Sequence, residues 1–219
     1  MSTRTRVKIC GLTREADLDA AVEAGADAVG FVFYASSARH IAVERAAMLA
    51  GRLPPFVTPV GLFVNAEVAA VEHAIAAIPH LLLQFHGAET PAQCEAFGRP
   101  YLCAARMVPG FDLLDFATCH AKARGILLDA HVEGYGGGGK VFDWSLVPSH
   151  LPRPVVLSGG LHSGNVIEGI LRLRPWAVDV SSGVESAKGI KDAAAMRRFC
   201  EAVREADALI RKERADAPA

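Results

Sequence analysis

Two side chains in this sequence stand where proton transfer could occur. Cys10 closes a short apolar run, Val7–Cys10, is followed by Gly11, and precedes the start of a helical pattern. Helix N-termini favour thiolate, and a thiolate serves as a base as well as a nucleophile. The alternative is an inert core cysteine. Asp129 lies within the apolar run Gly125–Ala130. Apolar surroundings disfavour the carboxylate anion, so Asp129 is expected to carry a proton near neutral pH. The competing role is structural, with the carboxylate capping a backbone turn.

Two glycine turns point to an anion. Ser158-Gly159-Gly160 and Ser181-Ser182-Gly183 each follow an apolar run. Glycine lets the backbone approach an anion closely, and the amide N–H groups supply donors. Gly159, Gly160, Ser182 and Gly183 are therefore expected to bind phosphate, against the alternative of two ordinary tight turns. The run from Gly134 to Lys140 nearly matches a nucleotide P-loop, but Val141 stands where the magnesium-binding Ser or Thr belongs. A lid over a site, or a plain flexible loop, fits that stretch better.

The elements that must position these residues are legible as repeats. Apolar runs of strand length recur at Val7–Cys10, Ala28–Phe33, Val57–Phe63, Leu81–Phe85, Tyr101–Ala105, Gly125–Asp129, Pro154–Ser158 and Ala177–Ser181. They are apolar almost throughout rather than alternating, as strands buried on both faces are. Helical patterns lie between them at Val43–Leu53, Ala66–Ala77, Pro91–Phe97, Phe111–Ala123, Asn165–Leu173 and, last, Asp192–Ile210. The first helix is expected to be capped by Thr13 and ended by Gly25. Between Asp129 and Pro154 only a short helical turn near Ser145 is expected.

Eight strands alternating with crossovers predict parallel pairing and a closed (β/α)8 TIM barrel of the α/β class, as a single domain over residues 1–210. A doubly wound open sheet is the alternative fold. Residues 211–219 are expected to form a frayed tail. In a barrel, the strand C-termini form the active face, and the loops after the seventh and eighth strands often hold phosphate. That face would gather Cys10, Arg39, His86, Asp129 and the two glycine turns.

Several function classes are excluded by composition. The 219 residues carry 23 Lys and Arg against 24 Asp and Glu, so no basic excess marks a nucleic-acid partner. The 5 cysteines form neither an even set nor a C-x-x-C pair, and no zinc or disulfide framework is expected. No apolar run approaches the roughly 20 residues of a membrane span. These features are those of a cytoplasmic protein without membrane, metal or cofactor.

The motifs taken together resemble the phosphoribosylanthranilate isomerase family of tryptophan biosynthesis. They are K-I-C-G at Lys8–Gly11, G-F-V-F at Gly30–Phe33 with Arg39 following, and Q-F-H-G at Gln84–Gly87. Further on come L-L-D at Leu127–Asp129, Y-G-G-x-G-K-x-F-D-W at Tyr135–Trp144, L-S-G-G-L at Leu157–Leu161 and D-V-S-S-G-V-E at Asp179–Glu185. The resemblance spans nearly the whole chain in order. It implies an Amadori rearrangement of N-(5-phosphoribosyl)anthranilate, a small-molecule substrate, by a monomer or homodimer. By the same resemblance Asp129 is the general acid and Cys10 the general base. Arg39 would pair with the anthranilate carboxylate, and Asp179 and His86 would contact substrate. Two departures stand out: Ala38 and His40 flank Arg39 where the family usually has Pro and Tyr. A related histidine-pathway isomerase is expected to end its first strand in aspartate; here Cys10 stands there.

Overall fold

The structure is a computed structural model that describes residues 4–130 and 141–216. Eight parallel strands close into a barrel in chain order: β1 (Arg6–Cys10), β2 (Ala28–Val32), β3 (Thr58–Phe63), β4 (Leu82–Phe85), β5 (Tyr101–Met107), β6 (Gly125–Ala130), β7 (Val155–Leu157) and β8 (Ala177–Val180). The seam pairs β1 with β8, Lys8 level with Asp179. The barrel overturns the open-sheet alternative, and each expected strand lies within a residue or two of its apolar run.

Helices cover the barrel: α1 (Glu15–Ala24), α2 (Val43–Ala50), α3 (Val68–Ala77), α4 (Pro91–Glu95), α5 (Leu113–Cys119), α6 (Val166–Leu173) and α7 (Ala193–Asp216). Between β6 and β7 the described residues hold only a single 3-10 turn, Trp144–Leu146. That is the trimmed unit expected near Ser145. The glycine-rich run Gly134–Lys140 lies outside the described residues.

Two apolar cores follow from strand alternation, which sends successive side chains to opposite faces. Outward residues such as Ile9, Val29, Phe31, Leu83 and Ile126 meet the helices in the large core. Inward residues Ala104, Leu127, Val156 and Ala177 make a small second core inside the barrel. Other inward positions are polar: Lys8, Gln84 and Asp179 are buried there. A barrel interior that carries charge at this depth must pair it.

Local details differ from the sequence reading in three places. Thr13 does not cap α1; Arg14 occupies the N-cap without a side-chain cap bond, and its guanidinium instead pairs with Asp17. Gly25 does end α1 in the left-handed conformation, at φ 97°. The last helix runs on through Asp216 rather than stopping at Ile210. Arg211, Lys212, Glu213 and Arg214 are good helix formers, and Glu213 pairs with Arg174 just past the end of α6. A short antiparallel hairpin, β9 (Glu185–Ala187) with β10 (Ile190–Lys191), was not expected. Its turn residue Gly189 has φ 80°, and a Cβ there would fall 2.8 Å from the Ala38 carbonyl oxygen, so the hairpin lies against the Arg39 loop. Among the described residues, no helix is long and apolar enough to cross a membrane.

Candidate active site

One pocket opens at the C-terminal ends of the strands, lined by Cys10, Arg39, His86, Asp129, Gly159, Gly160, Asp179 and Ser182 among others. Seven strands and connections thus deliver side chains to one place, as the barrel topology requires. Of the expected site residues only Gly183 stands back from the pocket wall. A Cβ at Gly183 would fall 1.9 Å from the Leu161 carbonyl oxygen. Its glycine allows the turn after β8 to lie against the turn after β7.

The base side sits at the β1–β8 seam. Lys8 and Cys10 are alternate residues on the inward face of β1, and both are buried. Gly30 on β2 lies level with Cys10, and a Cβ there would fall 2.6 Å from its sulfur. The missing side chain is what gives the sulfur room. The Lys8 ammonium donates to Asp179 Oδ1 at 2.9 Å, with side-chain exposures of 5% and 7%. Asp179 therefore faces a lysine as well as the pocket, a partner the sequence reading did not foresee. Burial pushes the Cys10 thiol up, Lys8 pulls it part of the way back, Asp179 adds to the push, and the balance stays above the ordinary cysteine value. The expectation that a helix N-terminus supplies the thiolate is corrected here: α1 begins only at Glu15, and the nearby positive charge is Lys8.

Arg39 follows β2 and is also buried. Its Nε donates to Glu185 Oε1 at 2.7 Å and its Nη2 to Oε2 at 2.8 Å. This bidentate pair uses two of the five guanidinium N–H groups and fixes the plane of the fork. Lys191 on β10 donates to the same carboxylate at 2.8 Å, and to the carbonyl and hydroxyl oxygens of Ser181 at 3.0 and 3.3 Å. Burial favours the neutral form of Glu185, but the bonds from Arg39 and Lys191 outweigh it and hold the carboxyl below its ordinary value. Lys8, Glu185 and Lys191 escaped the sequence reading as working parts. The signals were present: a lysine inside an apolar strand, and a glutamate ending the D-V-S-S-G-V-E motif.

The acid side is built differently. Asp129 is the last but one residue of β6, level with Arg106 of β5. Its Oδ1 accepts from the Ala130 N–H at 3.0 Å, and its Oδ2 lies 2.9 Å from His86 Nε2. Gln84 Nε2 lies 3.1 Å from His86 Nδ1, which orients the ring with Nε2 toward Asp129. His86 thus contacts the carboxylate directly while lining the pocket. Gly159, at φ 81°, lets the turn after β7 abut this carboxylate, since a Cβ there would meet Asp129 Oδ1 at 3.1 Å. Asp129 keeps 21% of its side chain exposed, and its nearest partners are polar rather than the apolar shell expected from the sequence.

The two turns expected to hold phosphate pack against each other, Gly183 against the Leu161 carbonyl. Ser182 and Gly183 open a 3-10 turn, whose first N–H groups have no acceptor within their own helix. Asn165 braces the other turn, donating to the Gly160 carbonyl at 3.0 Å. His162, in the turn after β7, is exposed and accepts from the Gly164 N–H. Among the described residues, no group of three His, Cys, Asp or Glu side chains could hold a metal ion.

Comparison with known proteins gives the family and agrees with the fold. The sequence model of N-(5'phosphoribosyl)anthranilate (PRA) isomerase matches residues 7–202. An N-(5'-phosphoribosyl)anthranilate isomerase of Leptothrix cholodnii is 74% identical over 205 residues, covering 94% of this chain and 93% of the relative. The phosphoribosyl anthranilate isomerase structure from Thermotoga maritima superposes with a TM-score of 0.83 at 41% identity, covering 92% and 99% of the two chains. A second structure of such an isomerase, solved with reduced 1-(o-carboxyphenylamino)-1-deoxyribulose 5-phosphate, gives 0.80 at 38% identity over 92% and 99%. With a match spanning most of its length and relatives of this identity, the chain belongs to the N-(5'-phosphoribosyl)anthranilate isomerase family.

Proposed function

We propose that this protein isomerises N-(5-phosphoribosyl)anthranilate to 1-(2-carboxyphenylamino)-1-deoxyribulose 5-phosphate, with Asp129 as general acid and Cys10 as general base. One observation carries the reading: Cys10 from β1 and Asp129 from β6 face the same pocket, beside two glycine turns and a fixed guanidinium. Asp129 gives a proton to the furanose ring oxygen as the bond from that oxygen to C1 breaks, leaving a Schiff base with the anthranilate nitrogen. The Cys10 thiolate then takes the proton from C2, and the electron pair moves to form an enolamine. Tautomerisation gives the ketone. No atom is gained or lost, so proton traffic suffices, and the protein needs to supply only placement and two groups of opposite protonation.

The remaining residues have supporting roles in the same reading. Arg39 has N–H donors beyond those that Glu185 takes, and a planar fork suits the anthranilate carboxylate. Gly159, Gly160, Ser182 and Gly183 offer backbone N–H groups to the phosphate. Asp179 and His86 border the sugar. All these residues come from a single barrel, so one chain can carry the reaction. The five cysteines are free thiols, which suits a reducing cytoplasm.

The test is the loss of phosphoribosylanthranilate fluorescence on adding purified protein, with no cofactor present. Rapid decay is expected, with Cys10→Ser and Asp129→Asn each slowed by roughly 10²–10⁴-fold, the range of a single acid or base. Full activity in either variant removes that residue from its role, and no decay with the unaltered protein ends the isomerase reading.

A further inference from the structure

The mechanism asks for a sulfur anion in a place where burial works against one. The surroundings of Cys10 show how that conflict can be met. Lys8 lies two residues away on the same strand face, where its charge favours the thiolate, and its ammonium is anchored to Asp179 at 2.9 Å. Burial opposes the Lys8 charge too, yet Asp179 and Cys10 outweigh it and hold the ammonium. Around the pair stand Arg39, Glu185 and Lys191 from the β2 loop and the β9–β10 hairpin. Burial pulls Lys191 down and Glu185 resists that; its three N–H donors meet three acceptors, as an ammonium's should. Asp17, near the Lys191 backbone, is matched by Arg14. Across the mouth, Asp129 and His86 face each other.

The seam cluster therefore holds three cations, Lys8, Arg39 and Lys191, against two carboxylates, Asp179 and Glu185. One positive charge is left over in a buried place, where unbalanced charge is costly. An anionic Cys10 balances it. We propose that Lys8 is a positioning residue for the base: its fixed ammonium favours the anionic form of the Cys10 sulfur against the cost of burial before substrate arrives. This rests on the assignment of Cys10 as base, but concerns the sulfur itself and is measurable without turnover.

The experiment reads thiolate by ultraviolet absorbance as pH is varied, in the substrate-free protein, with Cys10→Ser as the blank. Burial pushes Cys94 to about 12 and Cys200 to about 11, and pushes Cys103 up likewise, so these stay silent near neutrality. Cys119 is exposed and common to both proteins. As pH rises, the unaltered protein is expected to gain one thiolate that Cys10→Ser lacks, and the difference between the two curves gives the Cys10 midpoint. Equal absorbance overturns the proposal whatever the Lys8 variants do. In Lys8→Gln, which can still donate to Asp179, and in Lys8→Met, the Cys10 midpoint is expected to rise by at least about one pH unit, roughly a tenfold loss of thiolate. The acid limb of kcat/KM should move with it, and Lys8→Arg should restore most of both. A purely structural lysine would lower kcat at every pH and leave the midpoint still; that result overturns the inference. If the thiolate and its shift are found but phosphoribosylanthranilate is not turned over, the isomerase reading falls and the Lys8 inference stands.

Discussion

The two halves of the pocket are held in opposite ways. At the β1–β8 seam, Cys10 is surrounded by buried, mutually paired charges, and Lys191 has no exposed side-chain surface. On the β4–β6 side, His86 and Asp129 keep 14% and 21% of their side chains exposed and have fewer partners. The chemistry explains the contrast. A base that takes hydrogen from carbon must remain an anion away from water, which demands fixed counter-charges. An acid must regain its proton between turnovers, which demands contact with solvent or with a relay. A rigid, charge-paired wall and an open, hydrogen-bonded one answer these separate needs.

If that contrast is right, the seam should be far less tolerant than the opposite wall. The largest effect is expected from Glu185→Ala, which strands Arg39 and Lys191 without their shared carboxylate. Removing one partner of buried ion pairs costs about 3–5 kcal/mol, so denaturant unfolding should show a loss of that order. The same carboxylate ties stability to pH. Its folded-state value lies below the ordinary 4.5, so its contribution is present above that pH and disappears as pH falls through the folded value. Glu185→Gln should flatten the acid side of the stability curve; an unchanged slope means that the network does not govern acid unfolding.

Gly30→Ala comes next. The new methyl would overlap the Cys10 sulfur, and a base displaced by about 1 Å can lose on the order of 100-fold in rate. The melting temperature should move little by comparison, and unaltered kinetics would show that the sulfur has slack. The smallest effect is expected from His86→Ala. Asp129 keeps its bond from the Ala130 N–H and its access to water, so kcat should fall by roughly tenfold, at the low end for a group that assists proton transfer. A loss greater than that of Gly30→Ala would reverse the comparison, making the acid wall the more finely set.

Much of this was legible in the sequence, and the reasons are local. Strands buried on both faces leave unbroken apolar runs such as Ile126–Leu128, and Gly25 marks a helix end because its backbone needs a positive φ. Cys10 and Asp129 could be picked out because each ends such a run. What stayed hidden depends on register between distant strands. Nothing in the run Val7–Cys10 says that Lys8 will lie level with Asp179, 171 residues away. Likewise Glu185 and Lys191 read as ordinary charges after β8 until the hairpin folds them against Arg39. The apolar setting inferred for Asp129 failed for the same reason: His86 reaches its carboxylate from another strand, which the neighbours of Asp129 in sequence do not reveal.

The barrel's closing seam has a consequence for how the protein comes into being. The wall around Cys10 draws on residues 8–39 and 179–191, and Thr5 is tied to Asp207 of α7 by two hydrogen bonds of 2.9 and 2.8 Å. During synthesis, Cys10 is made well before Asp179, Glu185 and Lys191. A ribosome-bound chain lacking its last strand would therefore carry an ordinary thiol, and the reactive centre would switch on only when the final eighth of the barrel docks onto the first.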